Sequence, residues 1–208
     1  ERFSRELTLN NITIVSGFAR GIDSIAHKTA ASNGGKTIAV LGSGIDVIYP
    51  AENKPLYEEI RETGAVISEF DPGTKPDAQN FPKRNRIISC LSKGVLLIES
   101  TLKGGAMRTA SYALDQNREV YAVPGNIVSV MSDGPNYLIK RSEAKLVMSV
   151  SDILEDLLLP SEKIGLTPNL PEMDCFEARI FDVLSDKPKH IDNISDTAGI
   201  SLPECLGN

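Results

Sequence analysis

Short apolar runs alternate along this chain with longer stretches in which apolar residues recur every three or four positions. Ile12–Ser16, Thr37–Leu41, Ala65–Glu69, Gly94–Glu99 and Glu119–Val123 are rich in β-branched residues and short, which predicts buried strands. Lys145–Met148 predicts one more. Helical spacing predicts helices over 1–10, after Gly21, over 54–63, from Phe81-Pro82 through Leu91, and over 106–116, 136–141 and 151–158. In the helix after Gly21, residues Ile22, Ile25, Ala26, Thr29 and Ala30 fall on one face. Strand–helix alternation implies an α/β fold, a Rossmann-like parallel sheet with helices on both faces. That domain is expected over 1–158. A Pro-containing linker follows over 159–173, then a truncated C-terminal helical module over 174–208, with helices over 174–184 and 190–198 and another from Ser201.

Parallel sheets collect ligands at the carboxyl ends of their strands, where the βα loops lie. Several of these loops carry glycine and a cation. Gly17-Phe-Ala-Arg-Gly21 follows the first strand, with Arg20 at the entrance of the next helix. Lys103-Gly104-Gly105-Ala106 follows the fourth, with Arg108 and Thr109 just behind it. A strand, a glycine turn and a helix together present backbone N–H groups to an anion. The same turn is also a common tight connection, and it lacks the GxxxxGK[ST] spacing of a Walker A loop.

The densest chemistry lies in Asn80-Phe-Pro-Lys-Arg-Asn-Arg-Ile-Ile88. Pro82 suits a first helical turn, which places Lys83, Arg84 and Arg86 where the helix dipole prefers acids. No acid neighbours them in sequence, so a visiting phosphate would relieve the arrangement. The plain alternative is that their stems lie along the surface and their heads are solvated. Phe81 would either stack a base of a single strand or staple the helix start.

Composition narrows the classes. The chain has 208 residues, 41% hydrophobic and 24% charged, as in an ordinary globular protein. No apolar run approaches the roughly 20 residues of a membrane span, so no membrane partner is expected. Cys90, Cys175 and Cys205 have no metal spacing and suggest reduced thiols in a cytoplasmic protein. Net charge is −6, but residues 161–208 hold nine acids against four cations, which leaves the main domain near neutral and able to carry one basic groove. Asp23 and His27 are four apart on a helix, but no third ligand is visible, so no metal is expected. Gly42-Ser-Gly44 is only a partial GxGxxG, with Pro50 close behind, so no dinucleotide cofactor is expected. Neither His27 nor His190 has a nucleophile at motif spacing. Glu69 and Glu99 are read as loop-capping groups rather than a carboxylate pair.

Ser16–Asp23, Gly35–Gly42, Asp46-Val-Ile-Tyr-Pro50, Asn80–Ile88 and Ala122-Val-Pro-Gly125 together resemble the signature blocks of the DNA-processing protein A family (DprA, also called Smf), in family order across 3–157. The resemblance implies a non-enzymatic single-stranded DNA-binding protein, a cytoplasmic homodimer. Such a protein protects incoming DNA and helps load RecA during natural transformation, competence and DNA recombination, with the single-stranded DNA-binding protein (SSB) as a further partner. It also implies a C-terminal winged-helix-like module. Carried over, the blocks place Gly17, Arg20, Gly21, Phe81, Lys83, Arg84, Asn85 and Arg86 at the DNA groove. The glycine turn adds Lys103, Gly104, Gly105, Arg108 and Thr109, with Ala106 replacing the family's hydroxyl residue. The family's usual first strand is missing here, and the chain is expected to be truncated at both ends.

Two alternatives come from other classes. A Rossmann-like nucleotide-binding or nucleoside-monophosphate-cleaving enzyme would carry PGGxGTxxE at the glycine turn, which reads Lys-Gly-Gly-Ala-Met-Arg-Thr here. A protein-interaction scaffold would use the acidic tail or an apolar helix face.

Overall fold

The computed structural model describes residues 1–158, 175–184 and 189–201. Contacts divide the chain into two units, Glu1–Ile164 and Gly165–Asn208.

Among the described residues of the first unit, six strands run parallel within two three-stranded sheets. One contains β1 (Ile14–Ser16), β2 (Thr37–Val40) and β3 (Ala65–Ile67), in that order. The other contains β4 (Gly94–Leu97), β5 (Glu119–Ala122) and β6 (Lys145–Leu146). Register runs Val15↔Ile38 and Ala39↔Val66 in the first sheet, and Leu96↔Tyr121 and Ala122↔Leu146 in the second. The α/β class expected from the sequence is thus present, with its strands hydrogen-bonded as two ladders.

The apolar runs of β4 and β5 are explained by burial on both faces. Val95, Leu97, Val120 and Ala122 pack with Ala110, Ala113 and Leu138. These come from α5 (Gly105–Asp115) and α6 (Asp133–Lys140). The alternate residues Leu96, Tyr121 and Val123 pack with Phe3, Leu7, Val147 and Ile153. Phe3 and Leu7 lie on α1 (Arg2–Leu9) and Ile153 on α7 (Val150–Asp156). In the first sheet Phe18, Ala39 and Leu41 pack with Tyr57 and Ile60 of α3 (Lys54–Thr63).

Several element ends differ from expectation for local reasons. β1 starts at Ile14 because the N–H of Ile12 closes the end of α1 on the carbonyl of Leu7. α6 begins at Asp133, three residues before the predicted start, with Pro135 tolerated in its first turn. α7 starts at Val150 behind a capping box formed by Ser149 and Asp152. α2 (Ile22–Ser32) turns a different face inward from the one its isoleucines suggest. Ile22 and Ile25 are exposed, and His27, Ala30 and Ala31 are buried. The inward face is polar at its start because Asp23 and His27 bond the neighbouring backbone and strand.

In the second unit α8 (Cys175–Val183) packs on α9 (Ile191–Ala198). Gly199 ends α9 in the left-handed conformation at φ +65°, and the Ser195 hydroxyl donates to the Ile200 carbonyl at 2.6 Å. The expected linker and the segment after Ser201 lie outside the described residues. No helix among the described residues is long and apolar enough to cross a membrane.

Candidate nucleic-acid interface

The carboxyl ends of β1 and β2 meet the start of α4 (Asn80–Leu91). Arg84 makes the junction. Its Nη1 donates to the Gly17 carbonyl, just beyond β1, at 2.5 Å and to the Val40 carbonyl at the end of β2. Its Nε donates to Asn85 Oδ1 at 3.1 Å. Asn85 Nδ2 in turn donates to the Gly105 carbonyl at 3.3 Å, in the first turn of α5. One relay thus ties the β1–α2 loop, the α4 start and the α5 start together. Further down, Gln116 Nε2 donates to the Arg86 carbonyl at 3.1 Å and holds the two helices side by side.

Arg84 is only 4% exposed. Burial pushes its guanidinium down to about 10, against the opposing pull of Asp23, so the group stays charged at neutral pH. The long cation beside Lys83 is therefore held inside the fold by backbone carbonyls. Sequence spacing does not reveal this, since the two acceptors lie 67 and 44 positions away.

Gly17 is fitted to this arrangement. A Cβ there would stand 2.6 Å from Arg84 Nη2 and 2.9 Å from Asp23 Oδ2. Asp23 Oδ2 accepts from the N–H groups of Gly17 and Ala19, each at 3.1 Å, and so shapes the turn from within. Gly21, at φ +81°, leads into α2. His27 is fully buried, with Nδ1 2.6 Å from Thr37 Oγ1. Burial pushes its pKa down to about 4. Asp23 and His27 thus have structural partners, and no group of three or more potential metal ligands gathers among the described residues.

Three of the expected cations carry partners. Arg20 meets Glu52 in a two-pronged contact, Nε to Oε1 at 2.5 Å and Nη2 to Oε2 at 3.1 Å. That contact raises the Arg20 pKa and lowers that of Glu52. Arg86 pairs with Glu69, brought in just beyond β3. The expectation that no acid neighbours the cluster is corrected here, because the fold supplies a carboxylate that the local sequence lacks. Arg84 is the third, and its neighbours are described above. Lys83 is exposed on the first turn of α4, and Lys103 and Arg108 are exposed around the start of α5.

Neither α4 nor α5 has a side-chain cap or an acid in its first turn. Just before α4, however, Asp77 accepts from the Gln79 N–H with Oδ1 at 2.8 Å and from the Asn80 N–H with its carbonyl at 3.0 Å, so an anion is favoured chiefly at the start of α5. Gly104 is the N-cap of α5 and Gly105 its first residue, and Thr109 Oγ1 contacts the Gly105 carbonyl at 3.5 Å. Leu102, Lys103, Gly104, Met107, Arg108 and Ser111 line a shallow depression of about 330 Å³.

Aromatic groups stand at the same edge. Phe81 is half-buried, with the Arg84 guanidinium 5.8 Å from its ring centre. Tyr49, in the loop after β2, lies 5.8 Å from Phe81 and carries the Arg20 guanidinium 5.7 Å above its ring. Sequence reasoning did not select Tyr49. Its available signal was an aromatic residue within Asp46-Val-Ile-Tyr-Pro50 at a strand-end loop.

A parallel α/β domain with a strand-end edge of this kind is Rossmann-like in class. The model of the family DNA recombination-mediator protein A matches residues 1–158, and the chain belongs to that family. It is 44% identical to protein Smf of Escherichia coli over 98% of its own length and 56% of that protein's. It is 46% identical to DNA processing protein DprA of Streptococcus pneumoniae over 71% of this chain and 52% of that one. The chain thus spans about half the length of these curated relatives. The X-ray structure of the Streptococcus pneumoniae DprA superposes with a TM-score of 0.68 and 44% identity, covering 74% of this chain and 54% of that one. A DNA processing protein A structure from Helicobacter pylori, described for its single-stranded DNA binding mode, has a TM-score of 0.68 and 31% identity. It covers 75% of this chain and 70% of that one.

Proposed function

We propose that this chain is the single-stranded DNA-binding part of a recombination mediator. The observation that carries the proposal is the Arg84–Asn85 relay, which ties the starts of α4 and α5 and the Gly17–Gly21 turn into one edge. On that edge Lys83, Arg20, Lys103 and Arg108 supply exposed cations, with Arg86 available when it leaves Glu69. Phosphates would sit on these side chains and on the leading N–H groups of α5, including that of Gly105. Phe81 would contact a base. Gly17, Gly21, Gly104 and Thr109 would shape the backbone the strand approaches. Arg84 and Asn85 would act by positioning the edge.

Binding of this kind needs no catalytic group, cofactor or metal, and tolerates sequence. The described homologue from Helicobacter pylori supports the choice of single-stranded DNA. Protection of incoming DNA, loading of RecA, contact with SSB, homodimerisation and a cytoplasmic setting complete the proposed role during transformation and recombination. Residues 174–208 would open a winged-helix-like module outside the 1–158 domain.

The test is fluorescence anisotropy with labelled single-stranded and duplex oligonucleotides of equal length, with release of free base from AMP assayed alongside. Preferential single-strand binding without base release is expected. Base release from AMP, without strand binding, would establish the nucleotide-cleaving alternative instead.

A further inference from the structure

We infer that Tyr49 is the outer base-stacking platform of this edge, a subsite for an unpaired nucleobase. The inference rests on the single-stranded DNA reading and extends it to a residue outside the expected site.

The loop that carries Tyr49 is fixed from several sides. Ser43 Oγ donates to the Val47 carbonyl at 2.7 Å, and Tyr57 OH donates to the Ile45 carbonyl at 3.0 Å. The Gly44 N–H donates to the Thr74 carbonyl at 2.9 Å, and Asp46 Oδ1 accepts from the Gly73 N–H at 2.7 Å. Gly42, Ser43, Gly44 and Pro50 are buried, yet Tyr49 between them is 42% exposed. An exposed ring on an immobilised loop has already lost much of the freedom that ligand binding would otherwise remove.

Its neighbours suit one ligand class. Phe81 backs Tyr49, with the rings tilted by 37°. Phe81 is itself packed against Gly42, where a Cβ would stand 2.6 Å from its Cδ1. It also has the Arg84 guanidinium beside it. Phe81 is thus half-buried, and Tyr49 is the more open member of the pair. The Arg20 guanidinium lies over the Tyr49 ring and is held there by Glu52; when a base takes that place on the ring, the cation swings to the adjoining phosphate. A flat π-face beside a cation fits a nucleotide of a single strand. A base inside a duplex is already stacked on both sides and cannot reach it.

Anisotropy titrations would compare a labelled oligothymidylate with an abasic oligomer of equal length and charge, for the parent, Tyr49→Ala and Tyr49→Phe. Tyr49→Ala should weaken oligothymidylate binding about five-fold or more and leave the abasic oligomer unchanged, and Tyr49→Phe should keep both. The chain has no tryptophan, so Tyr49→Trp creates a single reporter whose emission oligothymidylate should alter and the abasic oligomer should not. Equal weakening of both oligomers by Tyr49→Ala would mean that Tyr49 acts only through Arg20, and would overturn the subsite. Unaltered Tyr49→Trp emission at saturating oligothymidylate would also overturn it, even if the alanine variant fails to fold. A parent that binds neither oligomer would overturn the single-stranded DNA reading, and the subsite with it.

Discussion

Arg84 donates from Nη1 to the carbonyl oxygen of Gly17 at 2.5 Å, across 67 positions of sequence. The side chain that local sequence presents as part of a surface cation cluster is the internal tie between a helix start and the turn after β1. Replacing it removes donors from two buried carbonyls and leaves a void. Arg84→Met should lower unfolding stability by about 3 kcal/mol in urea titrations. Arg84→Lys should recover only part of that, since one ammonium cannot reproduce the planar fork. An Arg84→Met variant as stable as the parent would contradict this role.

Asp23 organises the same turn from the other side, by accepting the Gly17 and Ala19 N–H groups. Asp23→Ala should cost about 1–3 kcal/mol, because two N–H groups and the Arg84 charge lose their partner. Asp23→Asn keeps an acceptor oxygen and should cost less. The ordering of the two variants in thermal unfolding checks the assignment.

His27 gives the fold an acid-sensitive element. Its folded pKa, pushed down by burial from 6.5 to about 4, means that the unfolded chain binds the extra proton first as pH falls. Stability should therefore drop as pH goes from about 6.5 to about 4, by roughly 3 kcal/mol from this group at most. Above 6.5 both states are neutral and the effect is absent. His27→Gln should be less stable than the parent at pH 7, with the gap narrowing toward pH 4. Parallel pH profiles of the two proteins would contradict it.

Glu52 competes with any phosphate for Arg20. The pair is exposed on both sides, so its worth is small. Glu52→Gln should raise single-stranded DNA affinity by about two- to five-fold and leave unfolding stability almost unchanged. A loss of affinity would mean that Glu52 instead holds Arg20 in its binding orientation.

The sequence exposed the fold where burial is two-sided. β4 and β5 read as strands because Val95, Leu97, Val120 and Ala122 face one helical layer while Leu96, Tyr121 and Val123 face the other. The inward face of α2 was hidden because Asp23 and His27 point inward on polar bonds while Ile22 and Ile25 stay outside. Candidate site residues were legible as types and spacings, but whether a long cation points in or out is set by distant backbone. Arg84 turns to Gly17 and Val40, and Arg86 finds Glu69 only once β3 is in place. Tyr49 was hidden for the same reason, since its neighbours Arg20 and Phe81 come from other loops.

The most direct test of the central claim is the salt dependence of single-stranded DNA binding by the parent, Arg20→Ala and Lys83→Ala, each shown to be folded. The parent should bind single strands over duplex with a steep salt slope, and each variant should flatten that slope by about one phosphate contact. Variants with the parent's affinity and slope would contradict the placement of the DNA phosphates on this edge.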